Sequence, residues 1–274
     1  MMLPKLGIIA GSGTLPSEII NHCDTTGRPF FVIALKDQAE ESTVASVPHK
    51  WVRLGAAGKT IKILRENDVE EIVLAGSVVR PSLNALRPDL WAAKFFAKTG
   101  AARLGDDGLL SAIIAALQEQ EGFTVVGSDD LLPNLVAPEG SLGHYTPMET
   151  DQNDIIAGIS AARILGAQDV GQAVVVRAGH VIGEEDQHGT DALLRSIRPL
   201  TSGKRCGVLV KTAKPAQERR ADLPTIGPDT VKGVYTAGLS GVALEANNAL
   251  ILNREQVIEA ADQYGLFVIG VTTT

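Results

Sequence analysis

Cysteine is nearly missing: Cys23 and Cys206 stand far apart, and neither belongs to a C-x-x-C pair. That argues against a disulfide framework or a zinc ribbon and makes a reducing, cytoplasmic setting the expectation. Positive charge is short as well, with 25 Lys and Arg against 32 Asp and Glu and a net charge of −7. A general nucleic-acid binder needs the opposite balance, so no nucleic-acid partner is expected. Apolar runs such as Gly7 to Ala10 and Val73 to Ala75 fall far short of the roughly 20 residues of a membrane span. The N-terminus shows no basic segment before an apolar stretch and does not read as a secretory signal. The strings G-x-x-x-x-G-K-S/T, H-E-x-x-H and G-x-S-x-G are absent, and the five histidines lack metal-ligand spacing. Aromatics are only 4%, whereas glycine occurs 28 times, a balance suited to an α/β protein with many strand-to-helix turns.

What is present is alternation. Leu6 to Ala10 reads as a short apolar strand, Gly11-Ser12-Gly13 as a turn, and Leu15 to His22 as a helix with Pro16 in its first turn. Further strands are expected at 30–34, 71–76 and 123–127, and helices at 59–67 and 107–120. Strands that are apolar throughout and separated by helices imply a doubly wound parallel sheet, a Rossmann-like domain over residues 1–130. Pro133, Pro138, Gly140, Gly143 and Pro147 then mark residues 131–150 as a linker. A second α/β domain, 151–274, opens with a helix at 151–165 and carries strands at 173–176, 207–211 and 266–269. A cleft is expected between the two domains.

Several strings carry chemistry. Gly11-Ser12-Gly13 follows a strand and precedes a helix, which suits either an anion site or a plain tight turn. Pro16 replaces the third glycine of a dinucleotide fingerprint, and no acidic residue directly follows the second strand, so an NAD site fits poorly. Arg80, in Gly76-Ser77-Val78-Val79-Arg80-Pro81, is placed either to clamp a phosphate or to be solvated. Thr150 to Asp154 puts more polar side chains, Gln152 and Asn153 among them, into one helical turn than capping requires. His180 ends a strand, and Glu185 and Gly189-Thr190-Asp191 follow closely. The richest stretch gathers Lys211, Lys214, Arg219 and Arg220 and then delivers Asp222 before Leu223-Pro224. Cations beside a carboxylate in one loop suit a diphosphate with a divalent metal; a charged surface loop is the alternative. Asn247 and Asn248 close an apolar segment begun at Gly241, and buried polar groups there need a ligand or a network.

Taken together, the strings Gly7 to Pro16, Gly76 to Pro81, Gly105-Asp106-Asp107, Gln152-Asn153-Asp154, Gly189 to Leu194, and Lys211 through Gly227 resemble the LpxI-type UDP-2,3-diacylglucosamine pyrophosphatases of lipid A biosynthesis. His188, Glu218 and Ala221 depart from the family pattern; Asp222 matches it. The resemblance implies a Rossmann-like first domain, a second domain peculiar to the family, and Mg²⁺-dependent hydrolysis of UDP-2,3-diacylglucosamine to 2,3-diacylglucosamine 1-phosphate (lipid X) and UMP. In that picture Asp222 binds Mg²⁺ or orients the attacking water, with Asp191 and Glu185, or Asn153 or Asp154, as candidates to complete the metal shell, and Lys214 and Arg219 neutralise phosphoryl charge. Gly11, Ser12, Gly13 and Arg80 face the UDP side, with Gln152, Asn153, His180, Thr190, Lys211, Asn247 and Asn248 as further substrate contacts. Contact with the cytoplasmic face of the inner membrane is expected through the lipid alone, and a homodimer is compatible with the apolar first half. A non-catalytic binder of a nucleotide-linked lipid and an NAD(P)-linked oxidoreductase remain as alternatives.

Overall fold

Residues 6–10 are apolar on both faces of the strand they form, which requires cover on both sides, and the chain supplies it with helices. The computed structural model describes residues 3–79, 81–101, 104–200, 203–215 and 217–273. Two compact units are present, Met1–Pro133 with Glu218–Ala221, and Asn134–Gln217 with Asp222–Thr274. No helix among the described residues is long and apolar enough to cross a membrane.

The first unit runs β1 (Leu6–Ala10), α1 (Leu15–Thr26), β2 (Phe30–Leu35), α2 (Glu41–Val44), β3 (His49–Val52), α3 (Ala57–Glu66), β4 (Glu71–Ala75), α4 (Leu83–Leu86), α5 (Leu90–Thr99), α6 (Asp106–Glu119), β5 (Thr124–Val125) and α7 (Ser128–Leu131). Its five strands are parallel in the order β3-β2-β1-β4-β5, so the winding reverses between β1 and β4. This is the doubly wound, Rossmann-like arrangement that the alternation predicts. Ile8, Val32, Ile33, Ile72 and Val73 are wholly buried at its centre. Gly27 ends α1 in the left-handed conformation (φ 69°), the conformation that costs glycine least. Two elements have weak sequence signals. Strand β3, His49-Lys50-Trp51-Val52, lies at the sheet edge and keeps polar residues. Helix α5 is held by Asp89, whose carboxylate caps Ala92 N at 2.9 Å, and by the stacked rings of Trp91 and Phe95, 5.5 Å apart.

The second unit runs β6 (Gly140–Leu142), α8 (Glu149–Ala167), β7 (Ala173–Arg177), β8 (His180–Glu184), α9 (Gly189–Ser196), β9 (Val208–Lys211), β10 (Thr225–Ile226), α10 (Pro228–Thr236), β11 (Gly241–Glu245), β12 (Leu250–Ile251), α11 (Arg254–Tyr264) and β13 (Phe267–Val271). The main sheet has the order β6-β13-β11-β9-β7-β8, with β9, β11 and β13 mutually parallel and β6 and β7 antiparallel to their neighbours. Strands β10 and β12 form a separate parallel pair. Helix α8 lies close on the sheet because Gly158 faces Val210, where any Cβ would collide with the valine side chain. The stretch 131–150, expected as a linker, is partly structured: Gly140–Leu142 pairs with Val268–Gly270 as the edge strand β6. Gly and Ser give that strand no apolar alternation, so only its pairing reveals it.

Candidate active site

At the point where the first sheet reverses, the turn after β1 lies against the turn after β4. Ser12 and Ser77 exchange backbone hydrogen bonds at 2.9 and 3.0 Å, and the Ser12 hydroxyl donates to the same Ser77 carbonyl at 3.0 Å. Gly11 N donates to Ala75 O at 2.8 Å. A Cβ on Gly11 would press on the Ser77 carbonyl, and one on Gly76 (φ +87°) on the Ser12 carbonyl. These glycines let two loops close backbone to backbone, and the amides of Gly11 and Ser12 are spent in that closure. Beyond them, Gly13 (φ +87°) has open space around it and leads to the N-terminus of α1, the remaining anion-favouring feature here. Arg80 lies outside the described residues.

In the second unit the polar residues converge at the carboxyl ends of β9 and β11, where parallel sheets place ligands. Lys211, only 4% exposed at the end of β9, donates from Nζ to Thr190 Oγ1 at 2.8 Å and to Thr225 O at 3.1 Å. The Thr190 hydroxyl, in the first turn of α9, donates to Glu185, whose other oxygen accepts Gln172 N at 2.8 Å. Glu185 is 6% exposed, and these bonds satisfy a carboxylate that burial would otherwise penalise. One strand over, the buried Glu245 accepts from Ala213 N at 2.9 Å, Asn248 Nδ2 at 3.0 Å and Thr273 Oγ1 at 2.7 Å. The network expected for the Gly241 to Asn248 segment is therefore centred on Glu245. Asn247, exposed and left-handed (φ 62°), closes the same turn.

The loop after β9 is cross-tied. Lys214 Nζ meets Asp169 Oδ1 at 2.7 Å, and Lys214 N donates to Gln217 Oε1 at 2.9 Å. Gln217 Nε2 donates to Gln172 Oε1 at 3.1 Å and to Asp222 Oδ2 at 2.5 Å. The four residues between Gln217 and Asp222 belong to the first unit. There Arg219 pairs with Asp129 at 2.8 Å, and Arg220 grips Glu218 at 2.8 Å and also donates to Gln118. The Arg220 hydrogen bond holds the Glu218 carboxyl below the usual range. Nothing in the sequence marks Asp169 and Gln172, which lie 45 residues before the side chains they hold. Gln217 and Glu245 stand inside recognisable strings, yet residue type alone gives neither a role.

The expected contact set divides in two. Strand β7 is antiparallel to β9, pairing Ala173 with Lys211 at one end and Val176 with Val208 at the other. His180 faces Arg177 beyond that second end, and Asp154 ties the start of α8 to the same turn by accepting Ala178 N at 3.2 Å and Gly179 N at 2.6 Å. His180, Gln152 and Asn153, all exposed, thus sit about 10 Å of strand away from the Lys211 end. Asp191, exposed on α9, lines a shallow cavity of about 270 Å³ with Arg195, Asp229 and Lys232.

Magnesium is usually held by one or two carboxylates together with substrate phosphates. Among the described residues no three His, Cys, Asp or Glu side chains are grouped to hold a metal ion. The expected shell of Asp222, Asp191 and Glu185 is accordingly not assembled: both Glu185 oxygens are taken by Thr190 and Gln172, and Asp191 faces the α9–α10 cavity. Asp222 fits the lesser requirement of a single carboxylate. It is half-buried, and among the described residues only its Oδ2 is hydrogen-bonded.

Residues 5–135 match the LpxI N-terminal domain, and residues 138–269 match the LpxI C-terminal domain. The chain is 41% identical over 274 residues to the UDP-2,3-diacylglucosamine pyrophosphatase LpxI of Caulobacter vibrioides, with 97% of each chain covered. Among solved structures, CobK precorrin-6A reductase is 12% identical at a TM-score of 0.32, over 99% of this chain and 90% of its own. N5-carboxyaminoimidazole ribonucleotide synthetase from Thermotoga maritima is 16% identical at 0.24, over 68% of this chain and 43% of its own. Superpositions that loose fix neither fold nor function. Two domain matches spanning almost the whole sequence, together with a full-length relative at this identity, establish that the chain belongs to the LpxI family.

Proposed function

We propose that the protein hydrolyses the diphosphate of UDP-2,3-diacylglucosamine, releasing UMP and 2,3-diacylglucosamine 1-phosphate, with Mg²⁺ as its cofactor. The observation that carries this reading is the full-length identity to a relative named for that activity. The chemistry of the loop after β9 supports it. Asp222 is a fixed, half-buried carboxylate that suits binding Mg²⁺ jointly with the diphosphate, or orienting the attacking water. Lys214, ordered in the structure by Asp169, supplies positive charge for the phosphoryl oxygens. When bound, Mg²⁺ would add Lewis-acid polarisation of those oxygens. Lys211, Thr190 and Glu185 hold one another in one arrangement at the carboxyl end of β9. Contact with a membrane is proposed through the substrate's acyl chains.

The test is turnover by the purified protein, with products identified by chromatography or phosphorus NMR. Release of UMP and the sugar 1-phosphate that EDTA abolishes and Mg²⁺ restores is the expected result. Retention of the lipid nucleotide without turnover, under any divalent metal, overturns the hydrolase reading in favour of a carrier.

A further inference from the structure

Gln217 ties three parts of the second unit together: Lys214, Gln172 and Asp222. Its carbonyl accepts Lys214 N at 2.9 Å, while its amide nitrogen donates to Gln172 Oε1 at 3.1 Å and to Asp222 Oδ2 at 2.5 Å. The direction of this amide is not ambiguous, as glutamine amides often are. A backbone N–H can only donate and an ionised carboxylate can only accept, so turning the amide over would set donor against donor and acceptor against acceptor. Both amide protons and the carbonyl are thereby used.

Residues 217 and 222 flank four residues that belong to the other compact unit. Asp222 is therefore bound not to its immediate neighbours but across the base of that excursion, to an amide anchored in its own unit. The anchoring runs further: Gln172, which takes the second amide proton, gives its own N–H to the buried Glu185. A chain of hydrogen bonds thus leads from Glu185 through Gln172 and Gln217 to Asp222. Both end links, to Glu185 and to Asp222, are made to carboxylates, which strengthens them over the amide–amide link between.

We propose that Gln217 is the positioning residue for Asp222, fixing the carboxylate's rotamer for the hydrolytic step without itself touching substrate. The inference rests on the reading of Asp222 as the central carboxylate of the site. Displacing a reacting group by about an ångström can cost a hundredfold in rate. Glutamate at 217 keeps the length and the acceptor for Lys214 N, loses both donors, and sets a like charge against Asp222.

Gln217→Glu is expected to lower kcat tenfold to a hundredfold, to leave KM within about threefold, and to keep a cooperative melt. Gln217→Met, equally long and without an N–H, takes its place if the glutamate variant fails to fold, with the same expectation. A readout independent of turnover is the side-chain amide signal of Gln217 in a ¹H–¹⁵N spectrum of the metal-free protein, assigned by its loss in the variant. That signal should show slow hydrogen exchange in the parent and should shift and exchange faster in Asp222→Ala. A kcat within twofold of the parent in a folded variant, in a background where Asp222→Ala is inactive, overturns the inference alone. An amide signal unmoved by Asp222→Ala does the same. If Asp222→Ala itself turns over normally, the reading of Asp222 falls and the inference falls with it.

Discussion

Lys211 Nζ lies 2.8 Å from the Thr190 hydroxyl, and that hydroxyl donates onward to Glu185. One buried carboxylate thus fixes the start of α9, through Thr190 the end of β9, and through Gln172 N the residue that leads into β7. Truncating that carboxylate would leave a backbone N–H and a hydroxyl unpaired at partly buried positions. Glu185→Ala is expected to destabilise the fold by about 1–3 kcal/mol in urea unfolding. An unchanged unfolding midpoint would show that water replaces the carboxylate at no cost.

The closure of the two turns in the first unit makes a second prediction. Gly76 combines a positive φ of 87° with a path in which a Cβ meets the Ser12 carbonyl and, at 3.1 Å, the Gly11 carbonyl carbon. Neither atom is the end of a flexible side chain. Gly76→Ala is expected to cost about 1–3 kcal/mol from crowding and strain, read as a lowered Tm. Gly13→Ala meets open space and carries only the conformational part.

Glu218 gives a pH signature. Its folded carboxyl is held below its ordinary value of 4.5 by the hydrogen bond from Arg220. A depressed folded value means that the pair contributes stability above about pH 4.5, and that this contribution is lost as pH falls through the folded value. Unfolding midpoints measured between pH 7 and pH 3 should therefore decline less steeply for Glu218→Gln than for the parent. Parallel curves would place the acid sensitivity elsewhere.

The legibility of the molecule follows what each signal depends on. Strands β1, β2, β4, β7 and β9 are buried on both sides and announce themselves as apolar runs. Strands β3, β6, β10 and β12 are short, and they owe their form to a neighbour rather than to their own residues. At the site, the loop from Lys211 to Asp222 is visible because its charges are concentrated in sequence. The sorting of the candidates is not: separating His180, Gln152 and Asn153 from Lys211 requires knowing that β7 runs against β9. That the carboxylates expected for the metal are not grouped among the described residues is hidden for a similar reason, since composition cannot reveal that both oxygens of Glu185 are already engaged.

The most direct test of the account is UMP release from UDP-2,3-diacylglucosamine by the parent and by Asp222→Ala, each with Mg²⁺ and with EDTA. The account predicts Mg²⁺-dependent release by the parent and a loss of order 10³-fold or more in the variant, equivalent to several kcal/mol of barrier. A variant that folds and retains kcat within a few fold of the parent would contradict it.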